Sequence, residues 1–211
     1  INENETLSGK QVVGKVRVTN AEIQYWLDKS AQDKGVILCD LQSASNNHSV
    51  IFNQALEKKS AAINLPLLNL INSQSNHGAF LFIPEKIKLE GVIKFEISCE
   101  IFPRFVTLIH IVSLLGESSS GNIVFKIEAN NNDISQSFLA IQNEVILMEN
   151  STLNILEDQR YSKRSGLFIF ERILQAKNSV VNAYLYDQGG AVLDRFLGIE
   201  MEGEGSEAKI T

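Results

Sequence analysis

From Gly78 onward, apolar and polar positions alternate in short segments that are separated by Gly, Ser and Asn. Such alternation sends successive side chains to opposite faces of a strand, and the small polar residues between segments favour turns. Helical spacing is nearly absent from this part of the chain. We therefore predict a series of β-strands over residues 78–211.

Four turn-and-strand units recur in this region at a nearly constant spacing. They are "GESSSGNIVFKI", "MENSTLNIL", "QAKNSVVNAYL" and "MEGEGSEAKI", and they lie 30, 28 and 27 residues apart when aligned on Gly121, Ser151, Ser179 and Ser206. A period in this range, with a strand and a turn at a fixed phase, is typical of a stacked β repeat. The positions two and four residues after the aligned one are apolar in every unit: Ile123, Leu153, Val181 and Ala208, then Phe125, Ile155, Ala183 and Ile210.

Two architectures would place short strands this close together along the sequence. An antiparallel meander or sandwich also has a strand every 8–12 residues or so, but it does not require the same turn at the same phase. In a parallel β-helix, equivalent strands stack in register, so the in-phase apolar pairs fill the interior and the turns form one corner. The period therefore favours a mainly β protein with a parallel β-helix over residues 78–211.

Residues 1–77 have a different pattern and are predicted to form a small mixed α/β region that caps the β-helix. "LSGKQVVGKVRVTN" and "GVILCDL" have the composition of strands. Thr19 followed by Glu22 matches a capping box, so we expect a helix over "NAEIQYWLDKSAQDK". Helical spacing in "NHSVIFNQALEKK", and Pro66 at the first turn of "AAINLPLLNLINSQ", predict two further helices.

The last residues, "GSEAKIT", begin a strand rather than finish a domain. In a solenoid each coil contacts only its neighbours, so an end coil needs a cap. We therefore expect the chain to be part of a longer β-helix that is incomplete at its C-terminal end. An exposed strand edge offers unpaired N–H and C=O groups, and we expect it to pair with a second copy of the chain.

Composition and charge narrow the classes of function. The 211 residues carry a formal net charge of −6, whereas a surface for nucleic acid needs clustered Lys and Arg. The N-terminal residues lack the apolar segment of a signal peptide. The longest apolar stretch, residues 105–115, is shorter than the roughly 20 residues that span a bilayer. We therefore expect a cytoplasmic protein that binds neither nucleic acid nor membrane.

Nucleotide and metal motifs are absent from the sequence. "GESSSG" has the glycine spacing of a phosphate-binding loop, but Asn122 follows where that loop requires lysine, so we interpret the segment as a β-corner. His48, His77 and His110 have no partner at the spacing of a helical metal site. His110 lies in an apolar run, where a hydrogen-bonded core residue is the simpler interpretation.

Cys39 and Cys99 lie in apolar runs and are predicted to be reduced structural thiols. Carboxylates could pair in space as they do in glycoside-cleaving sites. The sequence leaves open which of them meet, so no catalytic residue is assigned. The candidates are Glu128, Asp133, Glu144, Glu149, Glu157, Asp158 and Glu171.

Two longer phrases carry a resemblance to a known family. The first, within "LNLINSQSNHGAFLFIPEKIKLEGVIKFEI" (68–97), comprises Asn76, Phe80, Leu81, Phe82, Ile83 and Pro84, then Leu89 and Ile93. The second, within "GGAVLDRFLGIEMEGEGSEAKI" (189–210), comprises Gly189, Gly190, Ala191, Gly203, Glu204, Gly205 and Ser206. Their order and spacing resemble the SufB/SufD family, the scaffold components of the Suf iron–sulfur cluster assembly machinery. SufD is the more similar of the two, because the N-terminal region is short and clustered cysteines are absent.

The resemblance implies a right-handed β-helix and a non-catalytic scaffold subunit. Such a subunit works through interfaces with a SufB-like paralogue and a SufC-like ATPase, and it holds no cofactor of its own because the complex handles the iron–sulfur cluster transiently. The family's Cys-x-His pair does not occur in this sequence. The residues that build clusters and bind the ATPase are expected beyond residue 211, so no functional residue is transferred. The alternative is a β-helix enzyme that cleaves polysaccharides.

Overall fold

Two parallel β-sheets face each other, and short helices lie against the outer face of one of them. The fold is known from a computed structural model. The residues it describes are 5–7, 9–19, 22–58, 66–75, 77–99, 106–129, 138–161 and 163–211.

Sheet I is built on parallel neighbours from β2 to β14, and β1 and β3 run antiparallel to β2. Its hydrogen-bonded order is β1-β2-β6-β8-β10-β12-β14, with β3 also on β2. The strands are β1 (Thr6–Leu7), β2 (Lys10–Val18), β3 (Ile23–Leu27), β6 (Lys88–Cys99), β8 (Ser120–Ala129), β10 (Thr152–Tyr161), β12 (Val180–Gly189) and β14 (Glu207–Ile210).

Sheet II has the order β4-β5-β7-β9-β11-β13, and only β4 runs antiparallel to its neighbour. Its strands are β4 (Ile37–Asp40), β5 (His77–Ile83), β7 (Val106–Leu115), β9 (Phe138–Leu147), β11 (Gly166–Gln175) and β13 (Val192–Met201). From β5 onward the chain alternates between the sheets, so each coil gives one strand to each. This is a β-solenoid of about four turns, preceded by a small mixed α/β region, and the predicted fold class is confirmed.

The register confirms the predicted stacking for the last three repeat units. Leu153 is paired with Val181, and Val181 with Ala208. For the first unit the alignment was wrong: Thr152 lies opposite Ser120, so the spacing there is 32 residues rather than 30. The connection between β8 and β9 is eight residues long and the one between β10 and β11 only four, and this insertion shifts the phase.

The corners that follow β7, β9, β11 and β13 of sheet II have the same geometry. The last position of each is a serine whose hydroxyl donates a hydrogen bond to the carbonyl three residues earlier, at 2.6–2.7 Å. The residue before that position has a φ of 55–73°, a left-handed conformation that Asn and Gly tolerate best. "GESSSG" forms one of these corners, as predicted. The serines are Ser119, Ser151, Ser179 and Ser206, and the residues before them are Ser118, Asn150, Asn178 and Gly205.

The interior between the sheets, called the bore below, is filled by the inward face of every strand. β10 shows the pattern most clearly, because every second residue from Leu153 to Tyr161 is buried. Phe95 and Phe125 stack inside the bore with ring centroids 4.9 Å apart. Burial of this apolar surface, at about 25 cal/mol per Å², is the main stabilising contribution to the solenoid.

In the part of the chain that the structure describes, four helices precede β5: α1 (Lys29–Asp33), α2 (Leu41–Asn47), α3 (Ser49–Glu57) and α4 (Pro66–Gln74). Helix α3 lies on the outer face of sheet II, where Phe52 meets Phe80 edge-on with ring centroids 5.3 Å apart. Helix α4 begins at Pro66, as predicted. β2 and β4, which belong to residues 1–77, extend the two sheets by a strand each.

The helix predicted to start after Thr19 is wrong. Ile23–Leu27 form β3, which pairs with β2, and the helix that the structure describes between residues 22 and 34 is the shorter α1, capped by Asp28. The backbone amide of Glu22 does donate to the Thr19 hydroxyl at 3.2 Å, but this bond closes the turn of a hairpin. The β-branched and aromatic side chains of the run pack against a neighbouring strand, and this tertiary pairing overrides the local cap.

Residues 106–115 of the longest apolar stretch form β7 (Val106–Leu115), a strand of sheet II. Among the described residues, no helix is long and apolar enough to cross a membrane.

Candidate functional site

The most unusual feature of the bore is a group of charged side chains near the last coil. We call Glu157, Glu171, Asp187 and Arg195 the Arg195 cluster. These side chains point into the bore because inward and outward positions alternate along each strand. On β13, for example, Arg195 lies between the inward residues Leu193 and Leu197. The register puts charges where neighbouring coils have apolar residues, since Glu157 lies opposite Phe125 and Leu185, and Arg195 opposite Ile169.

The guanidinium of Arg195 contacts all three carboxylates. Nη1 donates to Oε2 of Glu171 at 2.7 Å, and Nε donates to Oδ2 of Asp187 at 3.0 Å. Nη2 donates to Oε1 of Glu157 and to Oδ1 of Asp187. On the far side of Glu171, the side-chain amide of Asn143 donates to Oε1 at 3.3 Å. Four consecutive sheet strands, β10 to β13, are thereby joined through one side chain.

Electrostatics in the cluster favour a proton on a carboxyl group. Glu157 and Glu171 are each only 2% exposed. Burial raises the pKa of Glu157 to about 8; the charge of Glu171 adds to the rise, and Arg195 opposes it. Burial also raises the pKa of Glu171 against the opposing effect of Arg195. At neutral pH the cluster therefore retains a proton on the pair formed by Glu157 and Glu171.

A carboxylic acid kept protonated beside another carboxylate has the chemistry of a general acid. Here the two glutamates lie between the sheets, where a polymeric substrate has no access. The Arg195 cluster therefore places charged groups inside the bore and connects β13 to the preceding strands.

A second group of polar residues, the His110 cluster, lies on the outer face of sheet II and comprises His110, Glu144, Arg172 and Glu200. Nε2 of His110 is 2.6 Å from Oε2 of Glu144, and both side chains are buried. Nε of Arg172 donates to Glu200 at 2.7 Å, and its Nη2 donates to the carbonyl of Lys58, which follows α3, at 3.2 Å. His110 is thus a hydrogen-bonded buried residue, as predicted, and the cluster ties the helical layer to the sheet.

The third group, the Lys15 cluster, lies on the outer face of sheet I at the first coil and comprises Glu5, Lys15, Arg17, Lys94 and Glu96. Lys15 and Lys94 are side by side in register, almost fully buried, and the Glu5 carboxylate bridges their ammonium groups. Glu96 binds Lys15 at 3.0 Å and Arg17 at 3.1 Å. Burial alone would raise the pKa of Glu96, but Lys94 and Lys15 lower it to about 2.

The two cysteines do not form a site in the described structure. Cys39 is a free buried thiol in β4 whose pKa is raised to about 11 by burial and by Asp40, which matches the predicted structural role. Cys99 ends β6, and its side chain lies outside the described residues. No group of three or more His, Cys, Asp or Glu residues in the described part of the chain has an arrangement that could hold a metal ion.

The structure brings together two of the carboxylates that the sequence offered, Glu157 and Glu171. It does not bring in the others: Glu128 pairs with Lys126, Asp158 with Arg160, Glu144 with His110, Glu149 is exposed at a corner, and Asp133 lies outside the described residues. Sequence reasoning missed Asp187 and Arg195. The signal for Arg195 was present, because it occupies the inward phase of "AVLDRFLGIEM".

The residues of the two resemblance phrases lie at structural positions of the solenoid. In the first phrase, Phe80–Ile83 lie on β5, Pro84 follows that strand, and Leu89 and Ile93 lie on β6, whereas Asn76 lies outside the described residues. In the second, a Cβ at Gly189 would lie 2.0 Å from the Tyr161 carbonyl oxygen, and one at Gly203 would lie 2.2 Å from the Lys177 amide nitrogen. Glycine is required at both points by the close approach of adjacent coils. Comparison with models of known protein families and with curated proteins found no match to this chain.

Proposed function

We propose that this chain is a non-catalytic scaffold subunit of iron–sulfur cluster assembly, of the SufB/SufD type and most similar to SufD. The observation that carries the proposal is that both resemblance phrases fall, in the expected order, on a β-solenoid with a mixed α/β region before it. A solenoid suits a scaffold because its rigid stack presents long surfaces that hold partners at a fixed separation. In this proposal the cluster is cargo of the complex, and the subunit acts in the cytoplasm.

The distribution of exposed apolar side chains supports an interface at the last coil. Six of the ten large apolar side chains that are exposed in the described structure lie on β12, β13 and β14. They do not form one patch: Val192 and Phe196 lie on the outer face of sheet II, Tyr184 and Tyr186 on the outer face of sheet I, and Met201 and Ile210 occupy inward positions. Exposed apolar side chains are typical of protein–protein contacts. One edge of β13 pairs with β11, and no described strand pairs with its other edge. We assign the outer face of β13, with Val192 and Phe196, and this edge to the SufB-like paralogue. The six residues are Tyr184, Tyr186, Val192, Phe196, Met201 and Ile210.

The location of the acidic residues supports a scaffold over the alternative, a polysaccharide-cleaving enzyme. Such an enzyme needs two carboxyl groups on either side of a bond in a bound sugar chain. The two glutamates that converge here, Glu157 and Glu171, are enclosed in the bore and bound to Arg195. Release of sugars from a polysaccharide by the purified protein would favour the alternative.

The test is purification of the protein from its own cells, tagged at its natural locus, followed by identification of what accompanies it. We expect a SufC-like ATPase and a SufB-like paralogue in near-stoichiometric amounts. A Val192→Asp variant should lose most of the paralogue, because it places a charge on the proposed interface. Val50→Asp is the matched control, since Val50 is equally apolar and exposed but lies on α3.

Recovery of neither partner above the level of an untagged strain would contradict the proposal. Equal recovery of the paralogue with Val192→Asp and with Val50→Asp would contradict the assigned surface alone. The purified chain should also self-associate through the same edge at high concentration. Sedimentation at increasing concentration measures this, and Val192→Asp should weaken it.

A further inference from the structure

Strand β13 is attached to the preceding coil by its backbone and by its inward side chains. Its backbone ladder runs to β11 over ten residues. The side chains that reach from β13 into the bore add to this attachment, and Arg195 is the charged one among them.

The Arg195 cluster contains more negative than positive groups. Glu157 of β10, Glu171 of β11 and Asp187 of β12 share the single guanidinium of Arg195. Among the described residues, the other polar groups that face this part of the bore are neutral and cannot balance a second negative charge. They are Asn143 of β9 and Gln159 and Tyr161 of β10, and β8 contributes the apolar Phe125 and Ile127.

Two buried carboxylates beside one guanidinium carry an excess negative charge in a medium of low polarity, which is unfavourable unless a proton neutralises one of them. Asp187 is partly exposed to water. Glu157 and Glu171 are buried, so the proton resides with this pair. Opening of β13 would carry Arg195 away and admit water, and the proton would then be released.

We propose that the Arg195 cluster is a proton-controlled latch, which holds β13 on the solenoid while Glu157 or Glu171 is protonated and loosens it when that proton is lost. The inference stands independently of the proposed function, because it concerns only the order of the last coil. If the partner surface is the one assigned above, the latch also sets how well that surface is ordered.

The sign of the effect follows from linkage. The closed latch keeps Glu157 protonated up to about pH 8, whereas the opened one releases the proton near the ordinary value of 4.5. The closed state therefore binds more protons between these values, and it becomes less favoured as pH rises. The opening constant should rise about tenfold for each pH unit and level off above about pH 8.

The experiment is hydrogen–deuterium exchange of the whole chain between pH 6 and pH 9, followed by mass spectrometry and corrected for the pH dependence of intrinsic exchange. We expect the protection of peptides from β13 to fall roughly 50-fold between pH 6 and pH 8. Peptides from β7, a central strand of the same sheet, are the internal reference and should show no such fall.

Glu157→Gln removes the titrating group and keeps an oxygen that can accept from Arg195, so protection of β13 should become nearly independent of pH. Glu171→Gln should have the same effect, and it serves as the test if the first variant does not fold. Asp158→Asn is the control, because Asp158 is the next residue of β10 but lies outside the bore, paired with Arg160 at 3.0 Å.

A wild-type protection of β13 that does not change with pH would overturn the inference. So would a pH dependence that survives in Glu157→Gln, or one that Asp158→Asn abolishes as well. Loss of the dependence in the glutamate variants alone, with partner recovery unaffected, would leave the latch intact and separate it from the proposed function.

Discussion

Replacement of Gly189 by alanine tests how closely successive coils approach. Gly189 ends β12 with a φ of 86°, and Gly190 follows with a φ of 87°. The amide of Gly190 donates to the Tyr161 carbonyl at 3.2 Å, which draws the backbone of one coil against the next. A Cβ at position 189 would lie 2.0 Å from that carbonyl oxygen, whereas the nearest atom to a Cβ at 190 is 3.4 Å away.

The two positions therefore separate conformational strain from steric overlap. A left-handed conformation costs an alanine about 1–2 kcal/mol relative to glycine, and Gly190→Ala should lose about this much. Gly189→Ala adds a backbone overlap that only movement of β12 or β13 relieves. Overpacking of this kind costs a further 1–3 kcal/mol or so, and the hydrogen bond from Gly190 contributes about 1 kcal/mol more when it breaks. We expect a total loss of roughly 3–6 kcal/mol for Gly189→Ala.

Urea unfolding followed by far-ultraviolet circular dichroism measures the two losses on the same scale. The difference between the variants should be about 2 kcal/mol or more, because both share the positive φ and only one has the overlap. Equal losses for the two variants would refute the argument that contact between coils, rather than backbone conformation, requires glycine at 189. That outcome would also weaken the structural explanation of the second resemblance phrase.

Two other changes follow from the clusters and corners. The pKa of Glu96 is lowered to about 2, so its stabilising contribution is complete above about pH 4.5 and is lost as pH falls towards 2. Glu96→Gln should therefore remove about 1–2 kcal/mol of stability at pH 7, after screening by solvent, and almost none at pH 2. Urea unfolding at each pH measures both losses. Ser179→Ala should cost about 1–2 kcal/mol, because the hydroxyl donates to the Ala176 carbonyl at 2.7 Å in a buried corner. Ser206→Ala, at the equivalent and more exposed corner, is its control, and an equal loss for both would contradict the role of burial.

Repetition is the part of the fold that the sequence predicts well. The stacking of Leu153, Val181 and Ala208 follows from apolar residues at one phase of a turn, because parallel coils place equivalent residues on neighbouring strands. The helix over residues 20–34 shows where local pattern fails. Ile23, Trp26 and Leu27 satisfy helical spacing, yet they form β3 because β2 offers a pairing edge that no local rule contains.

The Arg195 cluster could be predicted only in part. Arg195 and Glu157 each occupy an inward phase of their own strand, so their burial follows from alternation. Their meeting does not, because it depends on the register between coils of unequal length. The spacing of equivalent residues is 32 between Ser120 and Thr152 but 28 between Thr152 and Val180, and an error of two residues in that spacing already misaligned the first repeat unit.

The same uncertainty of register explains what a buried cluster contributes to a solenoid. A parallel ladder of Val, Ile and Leu tolerates a slip of two residues, because every side chain keeps its face and meets another apolar one. Such a slip of β13 against β11 moves Arg195 by about 7 Å, beyond the reach of Glu157 and Glu171, and leaves buried charges without partners. Buried ion pairs add little net stability over apolar residues, but breaking one costs roughly 3–5 kcal/mol. The penalty therefore falls on the shifted register and not on the native one, so the Arg195 cluster fixes which of several similar stackings the last coil adopts.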